Sequence, residues 1–221
     1  MTIAIDALLS LFLLCAGYVY TCYYFNGVQG LTFDKDVLRP SPKKIFYLIF
    51  GLLIVSILVF LFETVYSLAT LSQVKLLSLV LIMLPIAAVD FREQKIPNKL
   101  LVAALVIRLL IYIAEFISSV PLAVAILKDN ILGAIVIGAF FLLLLLIFKN
   151  SIGMGDIKLF AVMGLYQGLW GAINSVFFSL MVSFVLSVGL LITKKKGRKD
   201  TISFGPCILL GTVIAIALAG M

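Results

Sequence analysis

Histidine is absent from this sequence, and its absence removes whole classes of chemistry at once. Neither a Ser-His-Asp or Cys-His nucleophile nor an H-E-x-x-H zinc site can be built. Cysteine is nearly as scarce. Cys15, Cys22 and Cys207 form no C-x-x-C pair and lie in or beside apolar runs. They read as small packing residues and not as a metal or disulfide framework. Charge is the third shortage, at 12% of residues, about half the usual share. A chain of 221 residues that is 64% apolar cannot cover its own surface in water. Its mean hydropathy of +1.27 says the same. Lipid must be part of its solvent, which excludes a soluble globular enzyme, a disordered chain and a nucleic-acid-binding domain.

What is present in quantity is apolar sequence in membrane-length runs. A transmembrane helix needs about 20 mostly apolar residues. That ruler predicts about eight spans, near 3–24, 45–68, 74–89, 98–116, 130–148, 157–169, 172–193 and 202–219. The sixth is short and contains Gly164. The fold class expected is all-α, a polytopic helical bundle integral to the membrane. Residues 1–44 form a first span and a short cytoplasmic loop, and 45–221 form the membrane-embedded core. The start, Met-Thr-Ile-Ala-Ile-Asp, lacks the basic opening of a cleaved signal peptide and is read as a retained span.

Charge sets the expected sidedness. With the amino terminus outside, the inner loops collect Lys35, Arg39, Lys43, Lys44, Arg92, Lys95, Lys99, Lys149, Lys158, Lys194, Lys195, Lys196, Arg198 and Lys199. Those are fourteen of the 17 basic residues. The outer side keeps only Lys75 and Lys128, and Arg108 lies inside a span. Positive charge accumulates on the cytoplasmic side of membrane proteins, so both termini are expected outside. The Lys194–Lys199 run reads as an anchor on anionic headgroups.

Carboxylates inside or beside spans are expensive and mark functional candidates. Asp34, Asp36 and Asp200 fall in polar loops. Asp6, Glu63, Glu115 and Asp129 fall near outer span ends, where structural roles suffice, and Asp129 is placed to cap the fifth helix. Arg108 and Glu115, two turns apart on one helix face, read as too distant to pair with each other and free to pair with other helices. Asp90 and Asp156 stand apart. Asp90 ends the third span in Ala-Val-Asp-Phe-Arg-Glu-Gln-Lys-Ile-Pro-Asn-Lys, and Asp156 begins the sixth in Gly-Met-Gly-Asp-Ile-Lys-Leu. The charge count puts both on the inner face, and packing the third helix on the sixth would bring the carboxylates together.

Two carboxylates a few ångströms apart cannot both ionise readily, so they share a proton. The ionised member takes a proton from water while the protonated member polarises a peptide carbonyl. Peptide hydrolysis by this route needs no histidine, metal, cofactor or covalent intermediate. Gly153 and Gly155 remove side chains beside Asp156 and permit close approach of a substrate or the opposite helix. Pro97 suits a helix start and Asn98 its cap. Arg92 and Lys95 read first as topology anchors, the alternative being a raised positive potential near the aspartate pair.

Three stretches, in order and spacing, resemble the type IV prepilin peptidases, membrane aspartyl proteases of the Gly-x-Gly-Asp class. They are Asp90 with Ile96-Pro97-Asn98, then Gly153-Met154-Gly155-Asp156-Ile157-Lys158-Leu159, then Ser203-Phe204-Gly205-Pro206. The likeness covers 71–221. It implies cleavage of leader peptides from prepilins or pilin-like proteins, beside their hydrophobic N-terminal helix, at the cytoplasmic face of a prokaryotic inner membrane. It implies Asp90 and Asp156 as the catalytic pair, Gly153 and Gly155 as site-shaping positions, and Lys158, Pro97, Asn98, Phe204, Gly205 and Pro206 as supports. Larger bacterial members carry a cytoplasmic segment with paired Cys-x-x-Cys motifs that accompanies N-methylation. Here the corresponding loop, 25–44, has no cysteine, and methylation is not expected.

Two other readings are weaker. A presenilin-like protease shares Gly-x-Gly-Asp, but its Tyr-Asp and Pro-Ala-Leu are missing here. A small polytopic transporter would also carry intramembrane carboxylates, yet it predicts matching broken helices in two halves, and no internal repeat is evident. The bilayer is the other expected partner, and oligomeric state is not legible from the sequence.

Overall fold

The computed structural model describes residues 2–25, 42–148, 153–193 and 203–220. Lys35, Arg39, Lys149, the Lys194–Lys199 run, Asp34, Asp36 and Asp200 lie outside the described residues. All the regular structure described is helical: α1 (Thr2–Phe25), α2 (Pro42–Leu61) with a π-helical turn at Phe62–Tyr66, α3 (Thr70–Glu93), α4 (Asn98–Ser118), α5 (Val120–Ile147), α6 (Met154–Ile192) and α7 (Gly205–Ala219). Among the described residues six helices are long and apolar enough to cross a membrane, and α7 is a shorter apolar helix. The chain is a polytopic helical bundle.

The core helix is α3. It is buried on nearly every side, from Leu76 through Asp90, as expected of a helix apolar all round. Pro85 inside it is tolerated because neighbouring helices accommodate the interrupted turn. A side chain on Gly17 of α1 would come 3.4 Å from the Pro85 ring, and Tyr24 near the end of α1 donates 2.9 Å to Glu93 at the end of α3. These two contacts make α1 and α3 parallel neighbours.

The longest element, α6, has 39 residues. Straight, it would run about 58 Å, nearly twice the ~30 Å hydrocarbon core. It is not straight. Gly168 takes φ 72, ψ −171, a conformation effectively open to glycine alone. The break divides α6 into the two arms expected as separate sixth and seventh spans. The first arm packs closely on α5, where a Cβ on Gly133 would meet the Gly168 backbone at 2.6 Å. The second runs back along α7, with Gly211 against Ser179. Counting the arms separately gives eight helical segments among the described residues.

Breaking a helix orphans the carbonyls of its last turn. The Leu165 carbonyl is recovered by Arg108 Nε at 2.9 Å and by the Tyr112 hydroxyl at 3.1 Å. Arg108 stacks on Tyr112, 3.6 Å from the ring centroid, and forms a two-pronged pair with Glu115 at 3.2 and 3.1 Å. Both are buried, at 1% and 6% exposure. The expectation that these two could not pair within one helix is therefore wrong. Two long side chains leaning toward each other close a two-turn gap of about 10 Å.

Helix α5 starts ten residues earlier than expected, because Pro121 occupies its first turn and the apolar run behind it continues the helix. Asp129 consequently lies within α5 and faces Gly168 instead of capping a helix start. Of the cysteines, Cys22 and Cys207 are buried as expected and Cys15 is exposed on the outer surface of the bundle.

Candidate active site

Asp90 lies one turn inside the end of α3, which closes at Gln94. The Gln94 residue adopts a left-handed conformation (φ 54) and its N–H returns 2.8 Å to the Asp90 carbonyl. The helix thus outruns its expected end at 89 and carries Asp90 on its final turn. Asp156 is the third residue of α6. Its carboxylate accepts the N–H of Gly153 at the helix start, half of a capping box. The two aspartates share one cavity of about 380 Å³, lined also by Gln94, Lys95, Ile96, Asn98, Gly153, Met154, Gly155 and Lys158. The structure thus brings together both aspartates, both motif glycines, Asn98 and Lys158 from two separated stretches, 90–98 and 153–158.

Asp90 is 5% exposed, and a buried carboxylate needs donors. The Gly205 N–H supplies one at 2.7 Å, and the Phe204 backbone supplies another. Both come from the start of α7, whose dipole favours negative charge there. Pro206 occupies the first turn of the same helix, where its missing N–H costs nothing. Phe204 is half-buried and anchors this corner. Its ring packs edge-on against Phe160 at 5.8 Å, and Phe160 stacks on Phe141 at 4.4 Å. The three aromatics tie the start of α7 to α6 and α5.

The glycines act differently from expectation in detail. A Cβ on Gly155 would sit 3.0 Å from Ile96, so this glycine admits the Gln94–Pro97 connection and not the opposite helix. A Cβ on Gly153 would sit 3.0 Å from Asp156 Oδ2, beside the carboxylate as expected. Asn98 is not a cap. Pro97 precedes the helix in extended conformation, without a side-chain cap bond. Asn98 is the first helical residue, and its amide oxygen accepts from Lys158 Nζ at 3.1 Å. Both residues line the cavity, so this bond joins α4 to α6 beside the aspartates. Sequence reasoning missed Gln94 and Met154 as wall residues. Their only signal is adjacency, four residues after Asp90 and two before Asp156.

Fold and site together define a polytopic helical membrane protein with two aspartates gathered in one cavity at one end of the bundle. Residues 76–192 match the type IV leader peptidase family. The chain belongs to that family. It is also 28% identical, over 132 residues, to the prepilin leader peptidase/N-methyltransferase of Bacillus subtilis (strain 168). That match covers 59% of this chain and 50% of the relative, so the chain spans about half the length of the relative it matches. No solved structure matches the chain.

Proposed function

We propose that the chain is a membrane aspartic endopeptidase that removes leader peptides from prepilins or pilin-like proteins, with Asp90 and Asp156 as the catalytic pair. The carrying observation is the single cavity that holds both carboxylates in a chain of the leader peptidase family. In this reading the cavity end faces the cytoplasm, where the basic loops collect. The substrate enters with its hydrophobic helix in lipid and its scissile bond at the membrane surface.

The reaction uses one ionised and one protonated carboxyl. The ionised member takes a proton from water as the water oxygen bonds to the scissile carbonyl carbon. The protonated member gives its proton to the carbonyl oxygen, and a gem-diol forms. On collapse the carbon–nitrogen bond breaks. The leaving nitrogen takes the proton held by the first carboxyl, and a diol hydroxyl returns one to the second, which restores both. The reading is of a peptidase alone, without methyl transfer.

The test is co-expression with a pilin-like substrate, followed by mass measurement of that substrate. Wild type is expected to remove the leader and add no methyl group. Asp90→Asn and Asp156→Asn are each expected to insert normally and leave the substrate whole. Turnover in either variant would remove the pair from the mechanism. A well-inserted wild type that cuts no candidate substrate would turn attention to transport.

A further inference from the structure

A second polar cluster lies at the end of the bundle opposite the aspartate cavity, and the proposed reaction makes no use of it. The parallel packing of α1 on α3, with Gly17 beside Pro85 and Tyr24 bonded to Glu93, sets Asp6 level with Gln73 and Ser10 about one turn deeper. Asp6 is completely buried, and Ser10 and Gln73 are 3% and 2% exposed. Glu63, from the π-helical turn after α2, lies within electrostatic range of Asp6 and is only half-buried. Gln73 Nε2 is committed to the Leu68 carbonyl at 2.9 Å and, at a long 3.4 Å, to Glu63 Oε1. Its own Oε1 is left buried with no donor. Both Asp6 oxygens and the Ser10 hydroxyl likewise have no hydrogen-bond partner.

These atoms have one chemistry. Two carboxylates, an amide oxygen and a hydroxyl come from α1, the π-helical turn and α3 at one level of the bundle. The buried oxygens of Asp6 and Gln73 have no donor and the Ser10 hydroxyl has no partner, which buried polar atoms require. A proton on Asp6 and the hydrogen of the Ser10 hydroxyl would serve these oxygens only in pairs. A cation satisfies all of them at once. No three cysteine, aspartate or glutamate side chains cluster for a metal among the described residues. A cation here relies on amide and hydroxyl oxygens alongside the carboxylates, which selects a hard ion and excludes a zinc-type centre. Two carboxylates match a divalent charge. Calcium accepts six to eight oxygens in flexible geometry, whereas magnesium demands a near-ideal octahedron and sheds water reluctantly.

We propose that Asp6, Ser10, Glu63 and Gln73 form a calcium-class cation site that fastens the outer end of α1 to the α2–α3 corner, separate from the catalytic machinery. Half-buried Glu63 provides the route of entry. The ion's role is structural, so it changes stability and leaves the cleavage rate alone.

The test uses the full chain in detergent micelles after dialysis against EDTA. Calcium chloride is titrated while the thermal unfolding midpoint is followed, and bound calcium is counted by equilibrium dialysis with radioactive calcium. One saturable calcium per chain is expected, with a rising midpoint and a much smaller effect of magnesium. Asp6→Asn is expected to weaken binding at least tenfold. The isosteric Gln73→Met is expected to do so too and guards against misfolding of the first variant. Asp156→Asn is expected to bind calcium as wild type does, so the site stands or falls independently of the peptidase reading. Absence of saturable binding, or wild-type binding in both Asp6→Asn and Gln73→Met, would overturn the proposal.

Discussion

Gly205 combines two properties that other residues cannot supply together. Its N–H donates to Asp90, and its missing side chain leaves room for the same carboxylate. A Cβ there would lie 2.9 Å from both Asp90 Cβ and Oδ2, too close for either to stay in place. Gly205→Ala is therefore expected to displace Asp90 and lower kcat/KM for leader cleavage at least tenfold, because about an ångström of misplacement costs that much or more. The unfolding midpoint should move little, which separates a misplaced carboxylate from a misfolded chain. Near-normal cleavage would show that Asp90 has slack. Gly155→Val is expected to be as damaging for another reason. The added side chain would strike Ile96 and push away the connection that walls the cavity. At this scale the sequence was informative about the carboxylates, and the family resemblance named Phe204, Gly205 and Pro206 as supports without saying what they hold. Asp90 and Asp156 stood out because ionisable groups are costly beside lipid. The Gly205 bond joins residues 115 apart, and no local pattern marks which backbone N–H a buried acid will recruit.

Helix boundaries and pairings show the same limit one level up. The break in α6 was legible as a gap between two apolar runs, although its pivot, Gly168, was not. Gly164, Gly168 and Gly171 could each take a positive φ, and nothing in the sequence singles out Gly168 for φ 72. What stabilises the break was also hidden. Arg108 reads as an isolated charge within a span, yet it bonds Glu115 and the Leu165 carbonyl exposed by the break. Removing one partner of such a pair leaves a buried charge uncompensated, at a cost of about 3–5 kcal/mol, whereas replacing both with apolar side chains is often close to neutral. Arg108→Met is thus expected to be strongly destabilising in detergent unfolding. Arg108→Met with Glu115→Leu should recover most of the loss, less the bond to Leu165. A double variant no better than the single would show that the arginine matters chiefly through Leu165 and the Tyr112 ring.

Across the whole molecule the number of helical segments followed from length and hydropathy, because the bilayer imposes both. Which end faces which compartment is a separate question, which in the sequence is carried by charge. Lys99 lies at the aspartate end, beside Asn98 of the cavity wall, and Lys128 lies next to Asp129, which faces the Gly168 turn. Both lysines are exposed. In a background with Cys15, Cys22 and Cys207 replaced by serine, Lys128→Cys is expected to react with a membrane-impermeant maleimide on intact cells. Lys99→Cys is expected to react only after the membrane is opened. The basic loops argue for this result because moving lysine and arginine across the membrane during insertion is disfavoured. The proposed reaction argues for it independently, since a leader peptide made in the cytoplasm must meet the aspartates before its helix leaves that side. Labelling of Lys99→Cys from outside would break both arguments together, and the aspartate pair would then need a substrate that approaches from the other face.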